Sequence, residues 1–188
     1  MAIATGCGGN STHAVDKAAF DGATFPPGVR AADFTLPDLS GHPVSLRAQR
    51  GHVVALAFLP GGCRTCLLVA QQIRGALDEL ESHPPSANVR TIFVSTSPRT
   101  DTPARTRAFL VKSALLGRAS YLTGGEARLR PVWRAYRVTP PTTAGKTAAE
   151  DAIAVLLIDR HGVQRVAFGI EQITPEGLAH DIRLLEGE

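Results

Sequence analysis

Aromatic residues are scarce in this 188-residue chain, at 5%, with one Trp and two Tyr. That argues against a surface that stacks nucleobases. A dense basic block is also lacking. The 20 Lys and Arg residues are scattered and the net charge is only +3, so the electrostatic footprint of a nucleic-acid binder is missing. No stretch approaches the roughly 18 consecutive apolar residues that a membrane span needs. Cysteine is limited to Cys7, Cys63 and Cys66. A closed structural zinc site needs a second close pair of ligands, and Cys7 is far away in sequence.

What is present is the composition of a globular domain. Hydrophobic residues make up 44% and charged residues 20%, in a chain long enough for one real core plus a tail. Residues 1–28 are small and polar and end in Phe25-Pro26-Pro27-Gly28. They read as a disordered linker, with one domain over 29–188.

Within that domain the apolar pattern alternates between two periods. Phe34-Thr-Leu36 and Val44-Ser-Leu46 flank turn residues and predict a hairpin. Val53–Phe58 is a continuous apolar run, as expected of a strand buried on both faces. Leu59-Pro60-Gly61-Gly62 interrupts it. Cys66, Val69, Ala70, Ile73, Ala76, Leu77 and Leu80 then recur at spacings of three and four, predicting a helix over about 63–81. A strand over 89–96 follows. A helix capped by Thr102, with Pro103 at its first position, should carry Phe109, Leu110, Leu115 and Leu116. Thr123-Gly-Gly-Glu126 has capping-box spacing and predicts a further helix with Leu129, Val132, Trp133 and Tyr136 inward. A loop over 139–151, strands over 153–158 and 163–168, and a helix opened by Thr174-Pro175 complete the chain. This order predicts an α/β protein with helices on both faces of a central mixed sheet. The closing hairpin and helix give it a thioredoxin-like form, extended by the N-terminal hairpin.

The chemistry concentrates in Cys63-Arg64-Thr65-Cys66. At spacing i, i+3 the two sulfurs share one side of a first helical turn, within bonding reach. A helix N-terminus offers free N–H groups and partial positive charge, which favour a thiolate. Cys63 is the expected nucleophile and Cys66 the expected resolving thiol. A zinc half-site and a purely structural disulfide are the competing readings. Asp101 reads as a helix-start residue, Arg99 as solvated or partner-steering, and His161 as a turn residue. Glu150 and Asp151 read as loop-end carboxylates near the cysteine face.

With those residues in hand, the chain resembles the Sco/SenC branch of thioredoxin-like proteins. The resemblance covers about residues 29–186. It rests on Phe34–Gly41, Phe58–Cys66, Ser95–Pro103, Tyr121–Gly124 and Leu157–Gly162. It implies proteins that help assemble the copper centre of cytochrome c oxidase, as copper carriers, thiol reductants or both, through two cysteines and one histidine. This chain departs from that pattern twice. Its cysteines are spaced C-x-x-C rather than C-x-x-x-C, and the family histidine position, eight residues before Asp159, falls on Asp151. Copper(I) prefers sulfur and imidazole to carboxylate, and a histidine from elsewhere, such as His161 or His52, could substitute. The thiol oxidoreductases of TlpA/ResA type are the other relatives. They carry Trp-Cys-x-x-Cys and a cis-proline facing the cysteines, where this chain has Gly62 and, near the proline slot, Ile153.

The expected function is therefore an extracytoplasmic thiol–disulfide oxidoreductase of Sco-like build. Cys63 and Cys66 are its catalytic pair, and no cofactor is required. The alternative is a copper(I) metallochaperone using Cys63 and Cys66, with Asp151 at the family histidine position. A degenerate fold used only for protein contact is a third. Expected partners are client thiols and disulfides, including a respiratory copper protein, and the chain is expected to be a monomer. Small residues before Cys7, then Gly, Asn and Ser, look like the end of a bacterial lipoprotein signal. That reading makes Cys7 a lipid-anchored first residue outside the cytoplasmic membrane. An ordinary N-terminus with an incidental cysteine leaves the protein in the cytoplasm.

Overall fold

A computed structural model describes residues 19–82, 89–140 and 154–188. Eight strands and four α-helices follow one another in it. The strands are β1 (Ala23–Thr24), β2 (Thr35–Pro37), β3 (Pro43–Ser45), β4 (Val53–Phe58), β5 (Val89–Val94), β6 (Ala119–Leu122), β7 (Ala154–Ile158) and β8 (Gln164–Gly169). The helices are α1 (Arg64–Ser82), α2 (Pro103–Lys112), α3 (Glu126–Ala135) and α4 (Pro175–Glu186).

Six strands form one mixed sheet in the order β1-β8-β7-β4-β5-β6. The β4–β5 and β5–β6 pairs are parallel, and β4–β7 and β7–β8 antiparallel. The central position of β4 explains its apolar run. Val53, Ala55, Ala57 and Leu59 face one core, with α1, α2 and α4. Val54, Leu56 and Phe58 face a second core, with α3 and the β2–β3 hairpin. All six residues of β4 are buried. This is the thioredoxin-like α/β arrangement, with the hairpin as a small separate sheet.

Three local expectations change. Thr123 does not cap α3. The N-cap is Gly125, with no side-chain cap, because Thr123 stays in line with β6 and donates its N–H to Pro37 O at 3.0 Å. Leu116 is 43% exposed. α2 ends at Lys112, and Ala114, at φ 55°, turns the chain so that only Leu115 enters the core. Part of the presumed linker is tied down. β1 pairs with β8, and the buried Asp181 accepts the Asp21 and Gly22 N–H groups at 2.9 and 3.0 Å.

Close packing of α1 on α4 depends on Gly75. A Cβ there would meet Pro175 at 3.0 Å. Among the described residues no helix is long and apolar enough to cross a membrane.

Candidate functional site

The parallel strands β4, β5 and β6 all end on one side of the sheet, and the site is built from the loops that leave them. β4 runs out at Phe58. Leu59 donates to Val94 O at 3.1 Å, still in register with β5, and Gly62 donates to Pro60 O at 2.9 Å, closing a tight turn. Cys63 follows directly before α1. Cys63 and Cys66 are joined as a disulfide, with Cα atoms 5.2 Å apart. Cys63 is half-buried and Cys66 is fully buried in the core behind α1. The Cys66 N–H points back at Cys63 Sγ at 2.9 Å. The helix thus presents a donor and the positive end of its dipole to the outer sulfur, the arrangement that favours a thiolate there once the bond is reduced.

The glycines of this turn are needed for space. Neither Gly61 nor Gly62 has a positive φ. A Cβ on Gly61 would meet Thr106 Cγ2 at 2.9 Å, and one on Gly62 would meet the Arg105 guanidinium at 2.5 Å.

Beneath the turn lies a buried polar network. Asp101, 3% exposed, does not cap α2. Thr102 does, accepting from Arg105 N–H. Asp101 Oδ1 instead accepts the Gly61 N–H at 2.9 Å. Its Oδ2 accepts from Ser95 Oγ at 2.5 Å and lies 2.8 Å from the Tyr121 hydroxyl. That hydroxyl is also 2.9 Å from Leu59 O. Burial first, then the Asp101 carboxylate beside it, pushes the Tyr121 phenol far above its ordinary range, so it stays a donor. The Trp133 indole N–H donates to Ser95 O at 2.9 Å, which makes Trp133 a core residue that also braces the network. Sequence reasoning read Asp101 as a helix-start residue beside the cap Thr102, which is where it lies, but gave no site role to Ser95, Tyr121 or Arg105. The available signal was a Ser and an Asp close to the end of an apolar strand, with a Tyr in the next strand.

The other candidates fall elsewhere. Arg99 is 81% exposed and lies 3.8 Å from Glu126. His161 sits in the β7–β8 turn, where Asp159 Oδ1 accepts the N–H groups of His161 and Val163. His52 precedes β4, and Gly51 donates to Arg160 O, so both histidines lie at the opposite end of the sheet. The six-residue length of β4 puts about 20 Å between them and Cys63. Neither can complete a copper site with these sulfurs. Among the described residues, the one group of three that could hold a metal is Asp21, His180 and Asp181, which includes neither cysteine. The two sulfurs suit copper(I) by softness, but the described residues bring no imidazole to them. Cys7, Glu150, Asp151 and Ile153 lie outside the described residues.

The geometry is that of a disulfide-bonded cysteine pair at a strand-to-helix junction. The SCO1/SenC family model matches residues 25–185. The chain belongs to the SCO1/SenC family. Its fold is similar to that of ScoI from Bradyrhizobium japonicum, solved with copper bound, at 26% identity and a TM-score of 0.66, over 84% of this chain and 99% of that one. Apo Sco1 from Thermus thermophilus is similar at 21% identity and a TM-score of 0.73, over 90% and 99% of the two chains. The thioredoxin domain of a thiol-disulfide oxidoreductase from Bacteroides vulgatus is similar at 16% identity and a TM-score of 0.62, over 85% and 96%. No curated protein sequence matches the chain significantly. In this chain the C-x-x-C spacing places Cys63 directly before α1 and Cys66 inside its first turn.

Proposed function

We propose that this SCO1/SenC protein is a thiol–disulfide oxidoreductase acting on cysteines of a client protein outside the cytoplasmic membrane. A copper-binding subunit of a respiratory oxidase is the client class the family suggests. The observation that carries the reading is the Cys63–Cys66 disulfide at the mouth of α1, with one sulfur half-buried and the other enclosed.

In the reduced protein, the Cys63 thiolate attacks one sulfur of a client disulfide. A mixed disulfide forms and the second client sulfur leaves as a thiolate. Cys66, deprotonated, then attacks Cys63 Sγ and releases the first client sulfur. Two electrons pass to the client, the Cys63–Cys66 bond re-forms, and the two thiol protons end on the client thiols or in solvent. The buried position of Cys66 keeps it from competing as the first nucleophile.

The test is exchange with glutathione disulfide, followed by mass spectrometry. Wild-type protein should cycle between dithiol and disulfide. In a Cys7→Ser background, Cys66→Ser should accumulate a one-to-one glutathione adduct on Cys63, and Cys63→Ser should form little adduct on the buried Cys66. Equal adduct formation at both positions would sink the assignment.

A second reading is favoured by the similar ScoI solved with copper bound. Here the two reduced sulfurs carry copper(I) as cargo, with Asp151 as a candidate third ligand and without turnover. Anaerobic titration of the reduced protein with copper(I) separates the two. Stoichiometric binding that needs both cysteines supports the carrier, and glutathione exchange without copper binding supports the oxidoreductase. Lipidation of Cys7 is part of the same proposal and would show as a diacylglyceryl mass on the membrane-extracted protein.

A further inference from the structure

Arg105 stands on the first turn of α2 and lays its guanidinium over Gly62. Its Nε donates to Gly61 O at 3.2 Å. A Cβ at position 62 would come within 2.5 Å of both Nε and Nη2. The place a side chain would take directly before Cys63 is therefore filled from another helix, by a cation. Gly62 is the residue that makes room for it.

Arg105 is exposed, and its hydrogen bond goes to a backbone carbonyl, Gly61 O, not to a carboxylate. The acid below it, Asp101, is buried and turned toward Gly61 N–H, Ser95 and Tyr121. Arg64, the first residue of α1, is exposed on the other flank of Cys63. Two arginines thus belong to or touch the cysteine turn, Arg64 next to Cys63 in sequence and Arg105 through its hydrogen bond to Gly61 O. A fixed cation beside a sulfur favours its ionised form. It also attracts an anionic partner, with an effect that salt screens.

We propose that Arg105 is the positioning residue of the Cys63 thiol, and that from its seat over Gly62 it selects a client whose cysteine is flanked by carboxylates. The proposal rests on the dithiol reading above. Arg105 acts twice. It holds the turn through Gly61 O, and it places a positive charge where the Cys63 thiolate and an acidic client segment both meet it.

The experiment uses the full chain in a Cys7→Ser, Cys66→Ser background, so that Cys63 is the only thiol. Alkylation is followed from pH 5 to 9 with neutral iodoacetamide and with anionic iodoacetate. In each reaction the Cys63 sulfur displaces iodide and forms an S–C bond. Arg105→Gln should slow the iodoacetamide reaction at pH 6 by about threefold or more, because a larger share of the sulfur is protonated. It should slow iodoacetate further still. In the parent protein the rate ratio of iodoacetate to iodoacetamide should fall as salt is added, and in Arg105→Gln it should start lower and fall less, Arg64 still being present. Arg105→Lys should keep most of the charge effect. Gly62→Ala, which keeps the arginine but evicts it from its seat, should resemble Arg105→Gln.

The proposal is overturned if Arg105→Gln gives the parent's pH profile and the parent's rate ratio. Failure of the dithiol reading shows separately, as wild-type protein that does not exchange with glutathione disulfide. That outcome removes the client role of Arg105 but leaves its effect on the sulfur readable in the alkylation rates.

Discussion

The Asp101 carboxylate accepts the Gly61 N–H at 2.9 Å across 40 positions of sequence. This bond couples the loop after β5 to the turn that presents Cys63. Without it the turn would be held mainly by Leu59, at the β4 end, and by Arg105 from the solvent side. A carboxylate buried this deeply needs its partners, and it has three of them.

Asp101→Ala should therefore be costly. It leaves the Gly61 N–H and the Ser95 hydroxyl each short of an acceptor, while the Tyr121 hydroxyl keeps Leu59 O, with a loss of about 2–4 kcal/mol in urea unfolding. Amide hydrogen exchange at Gly61 should accelerate more than global unfolding requires. Asp101→Asn, which keeps an oxygen for Gly61, should lose less. If Asp101→Ala unfolds at the wild-type midpoint, the network does not hold the turn.

The Tyr121 phenol supplies a pH dependence. Its folded pKa is raised well above the ordinary phenol value, by burial and then by Asp101. The folded state therefore holds the phenolic proton more tightly than the unfolded state. The resulting stability is fully present below about pH 10 and is lost as pH rises from there. Denaturant midpoints of wild type should fall from pH 9 to 11, and Tyr121→Phe should flatten that fall while costing about 1–2 kcal/mol at pH 7. Parallel pH curves for the two proteins would refute it.

Asp181, fully buried, anchors the entering chain through the Asp21 and Gly22 amides. Asp181→Ala should release β1 from β8. Limited proteolysis should then cut near residues 21–28 well before the domain unfolds. Unchanged cleavage kinetics would mean that the β1–β8 pairing alone holds the segment.

Gly75→Val would push a side chain against Pro175, which already lies 3.0 Å from where a Cβ would sit. The expected loss is about 1–3 kcal/mol by overpacking between α1 and α4, together with the lower helix propensity of Val. Thermal unfolding followed by circular dichroism reads it directly. A Tm equal to wild type would show that the helices can part freely.

The element order was legible in one dimension, because burial on both faces of β4 and on one face of α1 imposes periods visible in a single chain. So was the cysteine pair, since spacing and position before an amphipathic helix are local properties. The sequence could not supply the partners of Asp101. A capping residue and a buried network residue look alike when Ser95, Tyr121 and Gly61 are 6, 20 and 40 positions away. The reason for Gly62 was equally hidden, because it lies in a guanidinium that arrives from α2. The sequence likewise left His52 and His161 eligible as copper ligands, and only the antiparallel pairing of β4 with β7 showed both at the far end of the sheet. Backbone periodicity is short-range and survives in one dimension. Contacts between strand ends and loops are set by how the sheet closes, and they exist only once it has.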